Sequence, residues 1–329
     1  MENKAAEFIE TVAYPTFGTI LLGGLSDQNR RMPLHTSAGL AYTGLNNEIE
    51  TRTVLYLNEG QPKGYFNGTS LQFSTEYRSP FSVLNDYSQK ILERFHLDKS
   101  YSICFDSQNI GILSGSSDSG AAALGRGIME LYPGIIDSVA FENRLRVVSE
   151  SVGRSLKGGL TVTWVENGNC RTEQVLSADS FKDYVILGCR FHEKRKPSDD
   201  IHTNIVMSPN YSNRISNTQK KAMILVNHAM KSEIEPIFDL AMEDTDEYHA
   251  LNESVGVKII TKEMNSVREA VRKYRKKGWA SYIITGGTNV FVPVHRSEES
   301  ELRSFLAELC SDIVSLKVAR EAMVVGKSF

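Results

Sequence analysis

Apolar and polar positions alternate along the first hundred residues in the manner of a β-rich region. Residues 8–25 (FIETVAYPTFGTILLGGL) predict a strand, a turn at Pro15, and an apolar continuation through Ile20, Leu21 and Leu22 to Gly23 and Gly24. Residues 33–42 read as a polar start to another strand. Ile49, Thr51, Thr53 and Leu55 then alternate with polar neighbours before a turn at Tyr65-Phe66-Asn67-Gly68. Phe81, Leu84, Tyr87, Ile91 and Leu92 fall on one face of a helix over 79–96, entered at Ser79-Pro80. A strand over 101–105 leads to SQNIGILSGSSDSGAAALGRGIMELYP (107–133), where small side chains give way to Leu124, Ile128 and Leu131 at helical spacing. A second helix is predicted over 137–156, with Leu145, Val148, Val152 and Leu156 on its apolar side. Gly158-Gly159 breaks it before strands over 160–164 and 184–189.

A polar run containing Pro197 (194–200) separates this half from a helix-rich one, with helices near 199–208, 215–231, 233–252 and 261–276. A buried-type strand (282–284) leads into Thr285-Gly286-Gly287-Thr288-Asn289, and Val290, Val292 and Val294 mark its return. A helix over 298–310 and a strand over 315–318 complete an α+β pattern, ferredoxin-like in the second half. The predicted division is 1–190 and 191–329.

Composition changes this picture only by exclusion. With 37 Lys and Arg against 40 Asp and Glu, the net charge of −3 does not favour nucleic acid, and the short basic runs suit solvated faces. No apolar run reaches the roughly 18 residues of a membrane span. Four separated cysteines without a C-x-x-C suit reduced thiols in the cytoplasm. Neither HExxH, nor a zinc-spaced Cys/His set, nor a G-x-S-x-G elbow occurs, and His249 suits a structural hydrogen bond.

What remains is a set of Gly/Ser loops and a charged pair. Gly115-Ser116-Ser117-Asp118-Ser119-Gly120 opens a helix, which gathers backbone N–H groups at the positive end of a dipole and suits a phosphate chain. The same stretch equally suits an ordinary capped helix. Glu150 and Arg154 stand four apart on the predicted second helix, so they are expected to share a face, either in a site or as a surface ion pair. Phosphate loops, a carboxylate and an arginine without a nucleophile fit phosphoryl transfer, where positioning and charge neutralisation supply most of the catalysis.

Two stretches together carry a resemblance. The 115–120 loop, with Asn109 before it, stands where GHMP small-molecule kinases have Gly-Leu-x-Ser-Ser-Ala. Ser151-Val152-Gly153-Arg154-Ser155-Leu156-Lys157-Gly158-Gly159 is similar to the Ser-Ala-Cys-Arg-Ser-Leu-x-Gly-Gly of their mevalonate diphosphate decarboxylase branch. The likeness spans nearly the full chain. It departs where the decarboxylases place a catalytic aspartate, here Thr285, and a lysine, here in the Leu21-Leu22 stretch. With Glu150 on the arginine's segment, this set resembles archaeal mevalonate 3-kinases of the acidophile type.

The resemblance implies a two-domain GHMP kinase fold, a ribosomal-S5-like βαβ domain followed by a ferredoxin-like α/β sandwich. It implies ATP and Mg²⁺ as cofactors, mevalonate as substrate, phosphorylation of the 3-hydroxyl without decarboxylation, and a cytoplasmic homodimer. Arg154 would hold the substrate carboxylate by its planar fork, Glu150 a substrate hydroxyl, and Leu21 and Leu22 the C3 methyl. Ser114 and Thr285 would lie where substrate and phosphate meet. Gly115, Ser116, Ser117, Asp118, Ser119 and Gly120 would wrap the phosphates, with Ser119 or Asp118 on the metal. Arg195, Ser198 and Asn67 would reach the nucleotide. The competing expectations are a decarboxylase of phosphorylated mevalonate and a nucleotide-binding regulator without catalysis.

Overall fold

The computed structural model describes residues 8–135, 139–166, 168–192 and 196–328. In chain order it begins β1 (Phe8–Ala13), β2 (Thr16–Ile20), β3 (Leu25–Asp27), β4 (Met32–Pro33), β5 (Ser37–Gly44), β6 (Glu50–Glu59), β7 (Gly64–Phe66), β8 (Thr69–Ser70), α1 (Pro80–Arg94), β9 (Tyr101–Ile110) and α2 (Ser116–Leu131). Then come α3 (Val139–Leu145), α4 (Val152–Lys157), β10 (Leu160–Glu166), β11 (Asn169–Leu176), β12 (Tyr184–Arg190), α5 (Ser198–Ile205), α6 (Tyr211–Met230), α7 (Ile234–Ser254) and α8 (Lys262–Tyr274). The chain ends with β13 (Ile283–Ile284), β14 (Asn289–His295), α9 (Glu299–Leu306), β15 (Ile313–Val318) and β16 (Met323–Ser328).

Two large sheets organise these elements. The first has the order β16-β1-β6-β9-β7-β8 and the second β11-β10-β5-β15-β12-β14-β13, with β2 added beside β5. The alternation in β6 does what it predicts, because Thr51, Thr53, Leu55 and Leu57 turn inward. Helix α1 starts where Ser79 accepts a hydrogen bond from the Phe81 N–H, with Pro80 in its first turn. Helix α2 lies close on β1 and β6, and its small residues permit this. A Cβ on Gly127 would stand 2.2 Å from Leu55, so a methyl there has no room.

Three expectations change. Strand β11 pairs with β10 although its polar sequence hides it, and β16 returns to pair with β1 (Phe8 opposite Ser328), placing the C-terminal strand in the first sheet. The helix predicted over 137–156 is two helices, with Arg146 standing at the break. Its fully buried guanidinium bonds the Glu142 carboxylate, the Thr172 hydroxyl at 2.8 Å and the Glu150 carbonyl. A helix continuing through 146–151 would bond the Glu150 carbonyl within its own ladder, whereas here the Arg146 guanidinium takes it. The break therefore removes Glu150 from the helix that holds Arg154, and the two do not pair i,i+4 as expected.

Candidate active site

The 115–120 segment opens α2 as the small residues suggest. Gly115 is left-handed (φ 78°), and an added Cβ would stand 2.4 Å from the Thr16 carbonyl, so only glycine fits the turn. The approach to the turn is fixed from outside. Tyr42, buried, receives the Leu113 and Ser114 N–H groups on its hydroxyl at 3.2 and 2.8 Å and donates to the Ser114 carbonyl at 2.7 Å. Asn289 donates to the Leu113 carbonyl at 2.7 Å, tying the 285–289 loop to this one. Ser114 and Thr285 face each other with their hydroxyls 3.5 Å apart, so the structure brings this predicted pair together.

Within the first turn of α2, Asp118 and Ser119 take opposite directions. Asp118 lines a cleft of 280 Å³. It accepts hydrogen bonds from Thr16 and Ser149, each at 2.5 Å, while burial and the Glu150 charge push its carboxyl above the usual range. The Ser119 hydroxyl points away from the cleft. It is fully buried against Thr51 at 2.6 Å and the Ser116 carbonyl at 3.2 Å. Of the two groups that the sequence offers to a metal, Asp118 has the fitting position and chemistry: one carboxylate beside a phosphate loop is what Mg²⁺ takes along with phosphate oxygens. The described residues contain no cluster of three or more His, Cys, Asp or Glu that would hold an ion without such oxygens.

Arg154 crosses the floor of the cleft under β5, where Gly39 makes room for its stem: an added Cβ there would stand 2.7 Å from Arg154 Cδ. The side chain donates to Ser37 Oγ at 2.9 Å. Its Nε is buried with no acceptor, and among the described residues no carboxylate comes within ion-pair distance. Burial pulls its pKa down against the raising influence of Asp118 and Glu150. A buried guanidinium without a counter-ion is costly unless a ligand provides one.

Glu150 occupies the facing wall. Arg31, from the β3–β4 turn, donates through Nε to its Oε2 at 2.8 Å, and His202 of α5 approaches Oε1 at 3.3 Å. Burial alone would raise the Glu150 pKa, but His202 and Arg31 hold it well below the ordinary range, so it is a fixed acceptor. His202 Nδ1 accepts from the Gly24 N–H at 3.2 Å, which puts its proton on Nε2, toward Glu150.

The apolar wall, Leu21 and Leu22, has no strand partner, and side chains satisfy its backbone. Asp244 accepts from the Leu21 N–H at 2.7 Å, and Arg214 donates to the Leu21 carbonyl at 2.6 Å. His35 accepts from the Gly23 N–H at 3.2 Å, and Tyr211 donates to the Gly23 carbonyl. Asp244 and Arg214 are fully buried and pair with each other at 2.9 Å. None of these holders was marked in the sequence as serving the site; Asp244, Arg214 and Tyr211 are remote from it along the chain, and His35, twelve residues on, carries no spacing signal.

Ser198 lines the cleft at the start of α5. Ser117 lines both that cleft and a second, largely apolar pocket of 230 Å³, which Ser116 and Gly120 face with Phe66, Leu71 and Phe105. Asn67 sits at the turn beside Phe66, with its amide oxygen committed to the Asn109 N–H at 2.8 Å. Arg195 lies outside the described residues. His249 has the structural role expected, meeting the Ile284 carbonyl at 2.9 Å. All four cysteines are unpaired and buried, and no described helix is long and apolar enough to cross a membrane.

Comparison with known proteins covers nearly the whole chain. Residues 13–176 match the diphosphomevalonate decarboxylase-like N-terminal domain, and residues 196–300 match the mevalonate-3-kinase C-terminal domain. The chain is 44% identical to the mevalonate-3-kinase of Picrophilus torridus over 98% of both proteins. Its structure superposes on the crystal structure of mevalonate-3-kinase from Thermoplasma acidophilum bound to mevalonate 3-phosphate and ADP, with a TM-score of 0.91 at 40% identity, covering 98% of this chain and 100% of that one. The mevalonate diphosphate decarboxylase of Staphylococcus aureus shares the fold at a TM-score of 0.82 and 16% identity, over 98% and 99% of the two chains.

Proposed function

This chain belongs to the mevalonate-3-kinase family, and from that premise we infer a mevalonate 3-kinase that uses ATP to phosphorylate the tertiary 3-hydroxyl and stops there. Its fold is the two-domain GHMP kinase fold, and the division at 190/191 belongs to the proposal.

The observation that carries the residue assignment is Arg154: a buried, unpaired guanidinium on the floor of a cleft supports a carboxylate partner, held by its planar fork. A carboxylate on Arg154 points the rest of a mevalonate molecule toward three walls. Leu21 and Leu22 suit the C3 methyl. Glu150, charged and acceptor-only, suits a hydroxyl, and with the 3-hydroxyl required at the Ser114–Thr285 gap this is the primary one. The backbone of 115–120 suits the β- and γ-phosphates, with the small apolar pocket behind Ser116 and Gly120 suiting the adenine, near Asn67. Ser198 and Arg195 complete the nucleotide assignment.

In the reaction the 3-oxygen forms a bond to the γ-phosphorus as the bond to the β,γ-bridging oxygen breaks. ADP leaves, and the hydroxyl proton passes to phosphate or solvent. The loose transition state asks little of a base. Asp118 would hold Mg²⁺, which neutralises phosphate charge when bound; Ser119, buried away from the cleft, is not proposed as a ligand. At Thr285 a hydroxyl stands where a decarboxylase would have a carboxylate, and Leu21 and Leu22 offer no ammonium, so nothing assists loss of the 3-phosphate.

The unpaired buried cysteines support a cytoplasmic setting. The exposed Ile215, Met223 and Met230 along α6 support a homodimer, which light scattering would test.

³¹P NMR of the product formed from ATP and mevalonate, run beside a CO₂ assay, tests the function. A single 3-phosphate resonance with no CO₂ is expected. A 5-phosphate, or CO₂ released in step with ADP, would overturn it.

A further inference from the structure

At the end of the cleft beyond Glu150, charges from four separate segments meet. Arg31 Nη1 reaches Asp199 Oδ1 at 2.6 Å, and Arg78 Nη1 reaches Asp199 Oδ2 at 3.3 Å. Arg31 also holds Glu150, its Nη2 standing 2.7 Å from Oε2. Both arginines line the cleft, Arg31 nearly buried and Arg78 open to solvent, while Asp199 sits half-exposed in the first turn of α5. The hydrogen bond from Arg31 holds the Asp199 carboxyl below its usual range, so it is charged.

Two guanidiniums plus two carboxylates sum to zero. His202, whose Nδ1 accepts from the Gly24 N–H, turns Nε2 toward Glu150. The arrangement is unusual in one respect: two guanidiniums converge on the two oxygens of a single carboxylate, which is how arginines bind a phosphate. Asp199 is in the position of that anion.

We propose that Asp199 is a specificity-determining residue, a built-in anion that occupies Arg31 and Arg78 and so keeps this end of the cleft for a neutral hydroxyl and against a phosphate ester. The inference rests on the functional reading above, which directs the primary hydroxyl of mevalonate to Glu150. A substrate already phosphorylated on that hydroxyl would meet the Glu150 charge with both cations spent. Rejection by an unpaired like charge discriminates more strongly than loss of a contact does. Asp199 itself touches no substrate and acts through the two arginines.

Calorimetric titration of mevalonate and mevalonate 5-phosphate into the wild-type protein, Asp199→Asn and Asp199→Asn/Arg78→Gln tests this. The exposure of Asp199 makes the amide structurally tolerable. The ratio of the two dissociation constants (5-phosphate over mevalonate) is expected to fall at least tenfold in Asp199→Asn. It should shrink toward one in 0.5 M salt and recover most of the way when Arg78 is also neutralised. A ratio within twofold of wild type, or a fall that Arg78→Gln does not reverse, would overturn the inference while leaving the kinase reading intact. Failure of the wild-type protein to bind mevalonate would instead overturn that reading, and this inference with it.

Discussion

The two walls of the cleft are made in different ways. The turn of the phosphate-loop wall is local, since Gly115 and the first turn of α2 shape it from six consecutive small residues, and only its approach is held from outside by Tyr42 and Asn289. The Leu21–Leu22 wall has no such autonomy. Side chains from β4–β5, α6 and α7 bond its backbone one group at a time, and Arg214 and Asp244 at the centre are fully buried. A loop that carries its own geometry tolerates change at a distance, whereas a wall held by remote charges fails when any holder is removed.

The largest test of that contrast is Asp244→Asn. It leaves the buried Arg214 and the nearby Lys221 with only Glu247 as counter-charge, and should cost about 3–5 kcal/mol in urea unfolding. A loss below about 1 kcal/mol would show that the wall does not depend on its clamp. Arg154→Ala comes next and concerns binding: mevalonate affinity should fall by about 2–5 kcal/mol, since a desolvated carboxylate loses its partner. ATP affinity, read by calorimetry on the same variant, should stay within about twofold, and a parallel loss of both would contradict the separate walls.

Acid should loosen the clamped wall as well. Burial, reinforced by Arg214, pushes His35 down to about 4, and burial brings His249 to about 4 also. Unfolded histidine takes up a proton below about 6.5 while these rings stay neutral, so the stability they carry is complete above about pH 6.5. It is lost as pH falls toward 4, by about 3 kcal/mol per ring. Urea midpoints measured from pH 7.5 to 4.5 should therefore decline, and His249→Gln should flatten the slope; a level profile would refute this.

Smaller effects are expected on the local wall. Gly115→Ala should cost about 2 kcal/mol, because the alanine is forced to φ 78° with its methyl against the Thr16 carbonyl. A melting temperature equal to wild type would be the contrary result. Gly120→Ala should do the opposite for folding. Its Cβ would meet nothing within 4 Å, so helix propensity gains about 0.5–1 kcal/mol. The same methyl intrudes on the proposed adenine pocket, and ATP affinity should fall about tenfold. Unchanged ATP binding in this stabilised variant would remove the pocket from the assignment.

The same contrast explains what could be read in advance. Alternation gave β6, the Ser79-Pro80 entry gave α1, and the small-residue run gave the α2 turn, because each is written in residues a few positions apart. The Arg154 motif was legible as a family pattern, and Ser114 and Thr285, both expected near the meeting of substrate and phosphate, do stand beside each other. Glu150 does line the cleft, but the geometry expected for it was wrong: the helix that would have aligned it with Arg154 breaks around Arg146. Ser119 was read as a metal ligand because a helix start does not reveal which hydroxyl faces the cleft, and the structure turns it toward Thr51. Strand β16 was missed since its six residues are half-exposed and gain their pattern only from pairing with β1.

By itself, then, the sequence determined most of the helices and strands, the small-residue loop that opens α2 and the family. These follow from steric limits and periodicities that act over a few residues, or from motifs compared as wholes. Tertiary structure alone decided that Arg31 and His202 hold Glu150, that Tyr42 and Asn289 fix the approach to the loop, and that Asp244 and Arg214 carry the Leu21 wall. The reason is that a buried polar group must find a partner wherever the fold supplies one, and partners found from 52 to 223 residues away leave no local mark on the chain.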